Sequence, residues 1–187
     1  MVGPRKALAA GALMVSLAAV AAAEPLNVAG SCREGLPNGG YELRTIDGRL
    51  RAVGAFAHGK KTGTFIFWTA GGARLAVIPY DEDARNGTVA LWYVETSERI
   101  EAGRRLEARY VDDRRHGITR SWHTNGAVRS EDRYERGGVV EARAWTKTGA
   151  ALPETEARDL AIRDAESDQA LFDALVAVVD DNLPRCD

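Results

Sequence analysis

Residues 39–152 alternate between short apolar runs and polar turns. Runs such as TFIFW (64–68) and TVALWYV (88–94) are rich in β-branched and aromatic residues, and Gly, Asn and Asp bound them, which is typical of hairpin strands. Asn125-Gly126 is a strong signal for a two-residue hairpin turn. The pattern therefore predicts a mainly β fold built of successive antiparallel hairpins.

The pattern repeats with a period of about 23–24 residues. All four tryptophans occupy one position of the repeat: Trp68, Trp92, Trp122 and Trp145. A second aromatic series closes the following strand, and a glycine follows the tryptophan position by about four residues, giving Phe56, Tyr80, Tyr110 and Tyr134, and Gly48, Gly72, Gly126 and Gly149. Self-similarity at this period indicates a repeat architecture.

About four to five hairpin units fit into residues 39–152. We expect the units to start near Gly39, Gly63, Gly87 and Gly117, each after a polar loop that ends in that glycine. The third unit is longer by about six residues, and we place this insertion at a hairpin tip in ETSERIEAGRR (95–105). The expected product is a single-layer sheet of antiparallel hairpins.

Alternation along each strand separates two faces of this sheet. One face carries the tryptophans. The other carries an apolar set in the first units and smaller or polar residues later: Tyr41, Leu43, Phe65, Phe67, Val89 and Leu91, then Thr119, Ser121, Ala142 and Ala144. Because a sheet that is apolar on both faces needs cover on at least one, another element must pack here.

The C-terminal residues 153–187 are predicted to supply that cover as a helical cap. Pro153 followed by Glu154 and Glu156 marks a helix start. We expect one broken helix or two, over about 153–165 and 168–181, with Ser167-Asp168 capping the second. The predicted contact with the apolar face is a helical stripe of Leu171, Leu175, Val178 and Val179.

Charge follows the same division. Residues 24–152 carry a net charge of +3, and residues 153–187 carry −7. An acidic helix beside a mildly basic sheet is consistent with docking of one on the other, and an ordinary solvated helix face is the alternative. The chain as a whole is not basic enough to suggest nucleic-acid binding.

Residues 1–23 have the form of a secretory signal peptide. Arg5 and Lys6 precede an apolar run, and Ala21-Ala22-Ala23 offers a cleavage site ahead of Glu24-Pro25. An uncleaved membrane anchor and a lipoprotein signal are the alternatives. We therefore expect a periplasmic or secreted protein cleaved near Ala23, with a short N-terminal segment over 24–38 before the repeats.

Export changes the interpretation of the two cysteines. Cys32 and Cys186 lie near opposite ends of the mature chain, and in an oxidising compartment such a pair favours a disulfide over two free thiols. The bond would connect the C-terminus to the first structured segment.

The segments GKKTGTFIFWTAGGARLAVIPYDEDARNGTVALWYV (59–94) and YVDDRRHGITRSWHTNGAVRSEDRYERGG (110–138) resemble MORN-type repeats. They are most similar to the bacterial variant of YwqK-like toxin–antitoxin antitoxins. HGKKTG (58–63) matches the characteristic loop of that family, and the other loops are degenerate. The resemblance implies a sheet of hairpins that binds or scaffolds, and more weakly a neutralising or immunity role.

The sequence contains no recognisable catalytic set. His116 and His123 lie at opposite ends of one predicted strand, about 20 Å apart, too far for a shared metal. DEDARNG (81–87) places an arginine where a calcium loop needs an oxygen ligand. Asp112-Asp113 and Arg114-Arg115 are interpreted as a self-compensating loop. We expect a non-enzymatic protein with no cofactor and no metal.

The tryptophan series, with Arg120 and Arg143 beside it, is the candidate binding strip. Cross-strand packing of aromatic residues is the alternative explanation of that series. Our first hypothesis is an exported module that recognises a protein partner. The second is binding of envelope polysaccharide or anionic lipid headgroups on the tryptophan face, and an enzyme is the third.

Overall fold

The computed structural model describes residues 25–94 and 103–187. Its strands form one open antiparallel sheet in which neighbours in sequence are neighbours in space, except that the short β6 pairs only with β5. This confirms the predicted mainly β, single-layer class. The strands are β1 Leu26–Arg33, β2 Leu36–Thr45, β3 Leu50–Ala57, β4 Lys60–Trp68, β5 Arg74–Asp81, β6 Ala84–Arg85, β7 Gly87–Trp92, β8 Arg104–Val111, β9 Arg114–Trp122, β10 Val128–Glu135 and β11 Gly138–Ala144.

At one end of the strands, the hairpins close in two-residue turns. Both residues of each turn have positive φ, as type I′ turns require: Glu34-Gly35, His58-Gly59, Glu82-Asp83, Asp112-Asp113 and Arg136-Gly137. The expected polar loop ending in a glycine is therefore wrong. Gly63 and Gly117 lie within β4 and β9 at positive φ, where the strand pairing shifts register, so these glycines accommodate a bulge.

At the other end of the strands, the hairpins close in three-residue loops. The predicted two-residue turn at Asn125-Gly126 is wrong, because His123 N donates to Ala127 O at 2.8 Å and Gly126 N to His123 O at 2.9 Å. Gly126 has a φ of 81°, the left-handed conformation that ends such a loop. The same pair of hydrogen bonds recurs in loops 45–49, 69–73 and 146–150, so the predicted glycine series is a structural repeat.

The C-terminal helix α1 spans Glu154–Asp180 without a break, with Pro153 at its N-terminal boundary and Glu154 and Glu156 in its first turn. The predicted break or second helix at 168 is wrong. Asp168 does not cap a helix. Its side chain is buried and pairs with Arg105 and Arg115, so this acidic residue faces the sheet in the middle of α1.

Helix α1 covers the face that we predicted it would cover. Phe172, Leu175 and Val179 join one buried cluster with residues of the first units, and Leu171 and Val178 pack against it. The sheet side of this cluster includes Tyr41, Leu43, Phe65, Phe67, Val89 and Leu91. A smaller cluster joins Ala142 and Ala144 to Ala157 and Ala161 at the start of the helix.

The segment after α1 returns to the first strands. Cys32 and Cys186 form a disulfide with 5.6 Å between their Cα atoms, and Tyr41 donates its hydroxyl to Asn182 O at 3.0 Å. The disulfide is compatible with an oxidising, exported compartment. Within the N-terminal segment predicted over 24–38, β1 and the first part of β2 belong to the same sheet as the repeats.

Two predicted features lie outside the described residues. The signal peptide over 1–23 is one, and most of the insertion, residues 95–102, is the other. Tyr93 N donates to Gly103 O at 3.1 Å, so the strands on either side of the insertion pair up to its base. Within the described ranges, no helix is long and apolar enough to cross a membrane.

Candidate functional site

The sheet face opposite α1, which we call the open face, carries all four tryptophans. All four are half-buried and lie next to a three-residue loop or the insertion: Trp68, Trp92 and Trp122 end β4, β7 and β9, and Trp145 follows the last residue of β11. Strand alternation places them opposite the core residues, so the expected separation of tryptophans from the helix-covered face is what the structure has. The series stays accessible on one side.

Beside the tryptophans, an apolar row crosses the centre of the open face. Val53, Ile66, Val77 and Ala90 are paired in register from β3 to β7. The three larger side chains are half-buried, and Ala90 is 8% exposed. Trp68 and Trp92 flank this row along their strands, so the middle of the open face is a continuous apolar surface.

The same row becomes charged beyond β7. Glu107, Arg120, Glu131 and Arg143 continue the register into β11, so charges of opposite sign alternate from strand to strand. Arg120 pairs with Glu131, its Nε lying 3.1 Å from Glu131 Oε2, and Arg143 pairs with Glu141. The two arginines predicted for the binding strip are therefore on the open face, with carboxylate partners.

Two arginines that the sequence did not single out contact the tryptophan series. The guanidinium carbon of Arg74 lies 5.2 Å from the ring centroid of Trp92, and that of Arg104 lies 5.7 Å from the same ring. Arg104 is the register partner of Trp92, but it follows the insertion in sequence. Only an alignment that places the insertion correctly would have found this pair.

His123 makes a hydrogen bond that recurs between units of the repeat. Its Nε2 lies 2.8 Å from Trp145 O, and one unit earlier Tyr93 donates its hydroxyl to Trp122 O at 2.7 Å. The residues that follow Trp92 and Trp122 thus hydrogen-bond to the backbone carbonyl of the next tryptophan in the series. His116 is exposed at the other end of β9. The structure therefore separates the two histidines, as the strand length predicted.

A buried cation recurs under the hairpin tips on the helix side. Lys61, Arg85 and Arg115 occupy equivalent positions and are less than 10% exposed. Arg85 Nε lies 2.7 Å from Asp113 Oδ1, and Arg115 pairs with Asp168 of α1. The expected self-compensation of Asp112-Asp113 with Arg114-Arg115 is therefore wrong, because Asp113 and Arg115 bind partners in other elements.

On the helix-covered face, the later strands carry buried polar side chains beside the ring of Tyr134. Ser121 Oγ lies 2.9 Å from Ser130 Oγ, which donates to Asp132 Oδ2 at 2.9 Å. Asp132 is 3% exposed, and burial raises the pKa of its carboxyl to about 6. The Ser130 hydrogen bond opposes that rise in the pKa of Asp132.

Among the described residues, no group of three or more His, Cys, Asp and Glu side chains is arranged to hold a metal ion.

Comparison with known proteins assigns the chain to no group. No model of a known protein family matches the sequence, and no curated protein is detectably similar to it.

Proposed function

We propose that this protein is an exported, non-enzymatic binding module that recognises a protein partner through its open face. The observation that carries the proposal is the continuous apolar surface of Ile66, Val77 and Ala90 between Trp68 and Trp92. Helix α1 covers the other face, and no element of the described residues 25–94 and 103–187 covers the open face. Contiguous apolar surface of this kind marks sites of protein interaction.

The charges on the other half of the open face pair with each other, which supports a partner surface that is uncharged and apolar. Arg120 and Arg143 already pair with Glu131 and Glu141, and Arg104 pairs with Glu107. These pairs are exposed and contribute little to stability, but they neutralise three of the arginines near the tryptophans, and only Arg74 of those on the Trp92 ring has no carboxylate partner among the described residues. This pairing favours a protein partner over anionic polysaccharide or anionic lipid.

The disulfide and the N-terminal sequence support export. We propose cleavage near Ala23 and a periplasmic or secreted mature protein. The resemblance to YwqK-like antitoxins narrows the partner to a toxin-type protein that this module would neutralise. A toxin-like gene next to the gene for this chain would support that narrower proposal.

Capture of a partner by the mature, disulfide-bonded protein tests the proposal. Immobilised protein at micromolar concentration is exposed to a periplasmic extract, and the Ile66→Arg variant is compared with Thr64→Arg. Both substitutions add a charge to the same strand and the same face, but Thr64 is exposed and lies outside the apolar row. We expect Ile66→Arg to lose the captured partner and Thr64→Arg to keep it, with equal melting temperatures.

Two results would contradict the proposal. One is the absence of any enriched partner, and the other is equal capture by wild type and Ile66→Arg. Tryptophan fluorescence titrated with envelope polysaccharide and with vesicles of anionic lipid provides the competing measurement. A saturable response to either would replace the protein partner by that ligand.

A further inference from the structure

The sheet ends in two edge strands, β1 and β11, and the chain's own residues cover the edge at β11. Arg158 of α1 donates to Val139 O at 3.1 Å near the start of β11. Leu152 N donates to Ala144 O at 2.9 Å at its end. Backbone acceptors at both ends of β11 are therefore occupied, which is one way in which proteins prevent an edge strand from pairing with another chain.

The other edge strand, β1, has no comparable cover. It pairs with β2 in unbroken register over Leu26–Gly30, so alternate residues of that stretch point their N–H and C=O groups away from the sheet. Within the described ranges, no residue hydrogen-bonds to these outward groups. Every residue of β1 after Leu26 is exposed, and none from Leu26 to Cys32 is charged or a proline. The strand therefore lacks the charges and prolines that commonly block edge pairing.

The disulfide fixes β1 in place although it has one neighbour only. Cys32 near the end of β1 is bonded to Cys186. Pro184 lies against the same strand, since a Cβ added to Gly30 would lie 3.1 Å from Pro184 Cγ. A strand that is already ordered loses less conformational entropy when it pairs with another strand.

The apolar core extends to this edge without being closed there. Leu26 and Val28 face the helix-covered side, because Val28 is opposite the fully buried Leu43 in register. Leu26 packs against the core cluster, whereas Val28 is 37% exposed. Leu183, in the segment that runs from α1 back to β1, is also exposed. Accessible apolar side chains thus lie beside unpaired backbone groups.

We propose that β1 pairs with β1 of a second copy of this chain, antiparallel and about a two-fold axis perpendicular to the sheet. In such an interface one surface patch must complement itself. The stretch Leu26–Gly30 meets that condition, because it has no charge to repel its copy, and Val28 is the largest of its exposed side chains. Val28 then lies close to Val28 of the partner subunit, and both lose exposed apolar surface.

Sedimentation velocity of the mature, disulfide-bonded protein tests this pairing. We expect a reversible monomer–dimer equilibrium over about 1–500 µM, since an interface made by one short strand is small and such interfaces are weak. A protein that stays monomeric over this whole range would overturn the proposal.

Two lysine substitutions show whether β1 forms the dimer. Val28→Lys is compared with Val111→Lys, because both valines are 37% exposed but Val111 belongs to β8, which lies between β7 and β9. We expect Val28→Lys to weaken the dimer at least about tenfold and Val111→Lys less than about twofold, since a lysine on an edge strand opposes pairing. Equal dimer dissociation constants for the two variants would contradict the proposal.

Hydrogen exchange of the unmodified protein locates the interface without any substitution. Amide exchange is compared at concentrations below and above the dissociation constant. We expect the amides of Leu26–Gly30 to exchange more slowly in the dimer and those of Gly138–Ala144 to be unchanged, because pairing protects the outward N–H groups of β1. Protection that increases in β11 and not in β1 would overturn the proposal.

The Ile66→Arg variant separates this interface from the open face. Ile66 lies on β4, away from the edge strand, so the variant should dimerise as the unmodified protein does. Loss of the dimer in Ile66→Arg would place self-association on the open face and overturn pairing through β1. Partner capture by the open face does not require β1, so the two proposals fail separately.

Discussion

At the scale of single residues, Asp168 is the main polar link between helix and sheet. Its carboxylate is fully buried and pairs with Arg105 and Arg115 from two neighbouring strands. We expect Asp168→Asn to lower the free energy of unfolding by about 3–5 kcal/mol, because removing one partner leaves buried cations uncompensated. Urea denaturation checks this value.

Glu166→Gln is the control for that measurement. It removes the same charge from an exposed position of the same helix and should change stability by less than about 0.5 kcal/mol. Equal urea midpoints for the two variants would show that the buried pairs do not stabilise the docked helix.

Asp132 also contributes to the free energy of unfolding, but it stabilises the fold in its protonated form, so its contribution depends on pH. Burial raises the pKa of its carboxyl from 3.8 to about 6, so the folded state holds this proton more tightly than the unfolded state. The stabilisation from Asp132 is therefore largest below about pH 4 and is lost as pH rises to about 6. Asp132→Asn removes this dependence.

The measurement is the free energy of unfolding of Asp132→Asn and wild type at pH 4, 5, 6 and 7.5. The variant should gain up to about 3 kcal/mol relative to wild type between pH 4 and pH 7.5. The pH dependence of groups that do not interact with Asp132 cancels in the difference. A difference that stays constant with pH would rule out the raised pKa of Asp132.

At the scale of elements, close packing between neighbouring strands depends on Gly54. A Cβ added to Gly54 in β3 would lie 2.5 Å from the ring of Phe65, which is fully buried. We expect Gly54→Ala to lower the free energy of unfolding by about 1–3 kcal/mol, because the ring of Phe65 must leave its position in the core.

Gly40→Ala in β2 is the matched control, since a Cβ there meets no atom within 4 Å. It should be neutral, or stabilise by up to about 1 kcal/mol through the unfolded state. Thermal denaturation of both variants checks the pair. The expectation fails if Gly54→Ala melts at or above the temperature of Gly40→Ala.

The elements also show where sequence patterns suffice. The strands, the tryptophan and glycine series and the helix start follow from local periodicity and turn chemistry. The continuity of α1 through Ser167-Asp168 does not, because Asp168 is a good capping residue in isolation. Its pairing with Arg105 and Arg115, distant in sequence, holds that residue inside the helix.

At the scale of the whole molecule, the disulfide joins the first strand to the chain after the helix. It closes a sequence separation of 154 residues, for which the chain-entropy model gives about 5 kcal/mol as an upper value. We expect the double variant Cys32→Ser, Cys186→Ser to fold and to lose about 2–5 kcal/mol. Urea denaturation with and without reductant checks this, since only wild type should respond to the reductant.

The helical cap completes the core of the molecule. Deletion of residues 153–187 would uncover Phe65, Phe67 and Leu91 together with the rest of the apolar face. We expect the truncated sheet to aggregate, because exposed apolar surface of that extent is not tolerated by a soluble monomer. Size-exclusion chromatography is the measurement, and a monomeric truncated protein with an unchanged melting temperature would show that the cap is not a core element.

The sequence by itself determined the mainly β class, the repeat, the two faces of the sheet, the partner face of the helix and the pairing of the cysteines. The first four depend on alternation, period and residue type, which are local properties of the chain, whereas the pairing was inferred because the chain has two cysteines and an export signal is expected. Tertiary structure decided the rest: the continuity of α1, the salt bridges of Asp113 and Arg115, and the carboxylate partners of Arg120 and Arg143. Each of these depends on which side chains meet across strands and helix, and the pairing of sheet arginines with Asp168 joins a repeat to a helix outside it, so that pairing leaves no periodic signal in a single sequence.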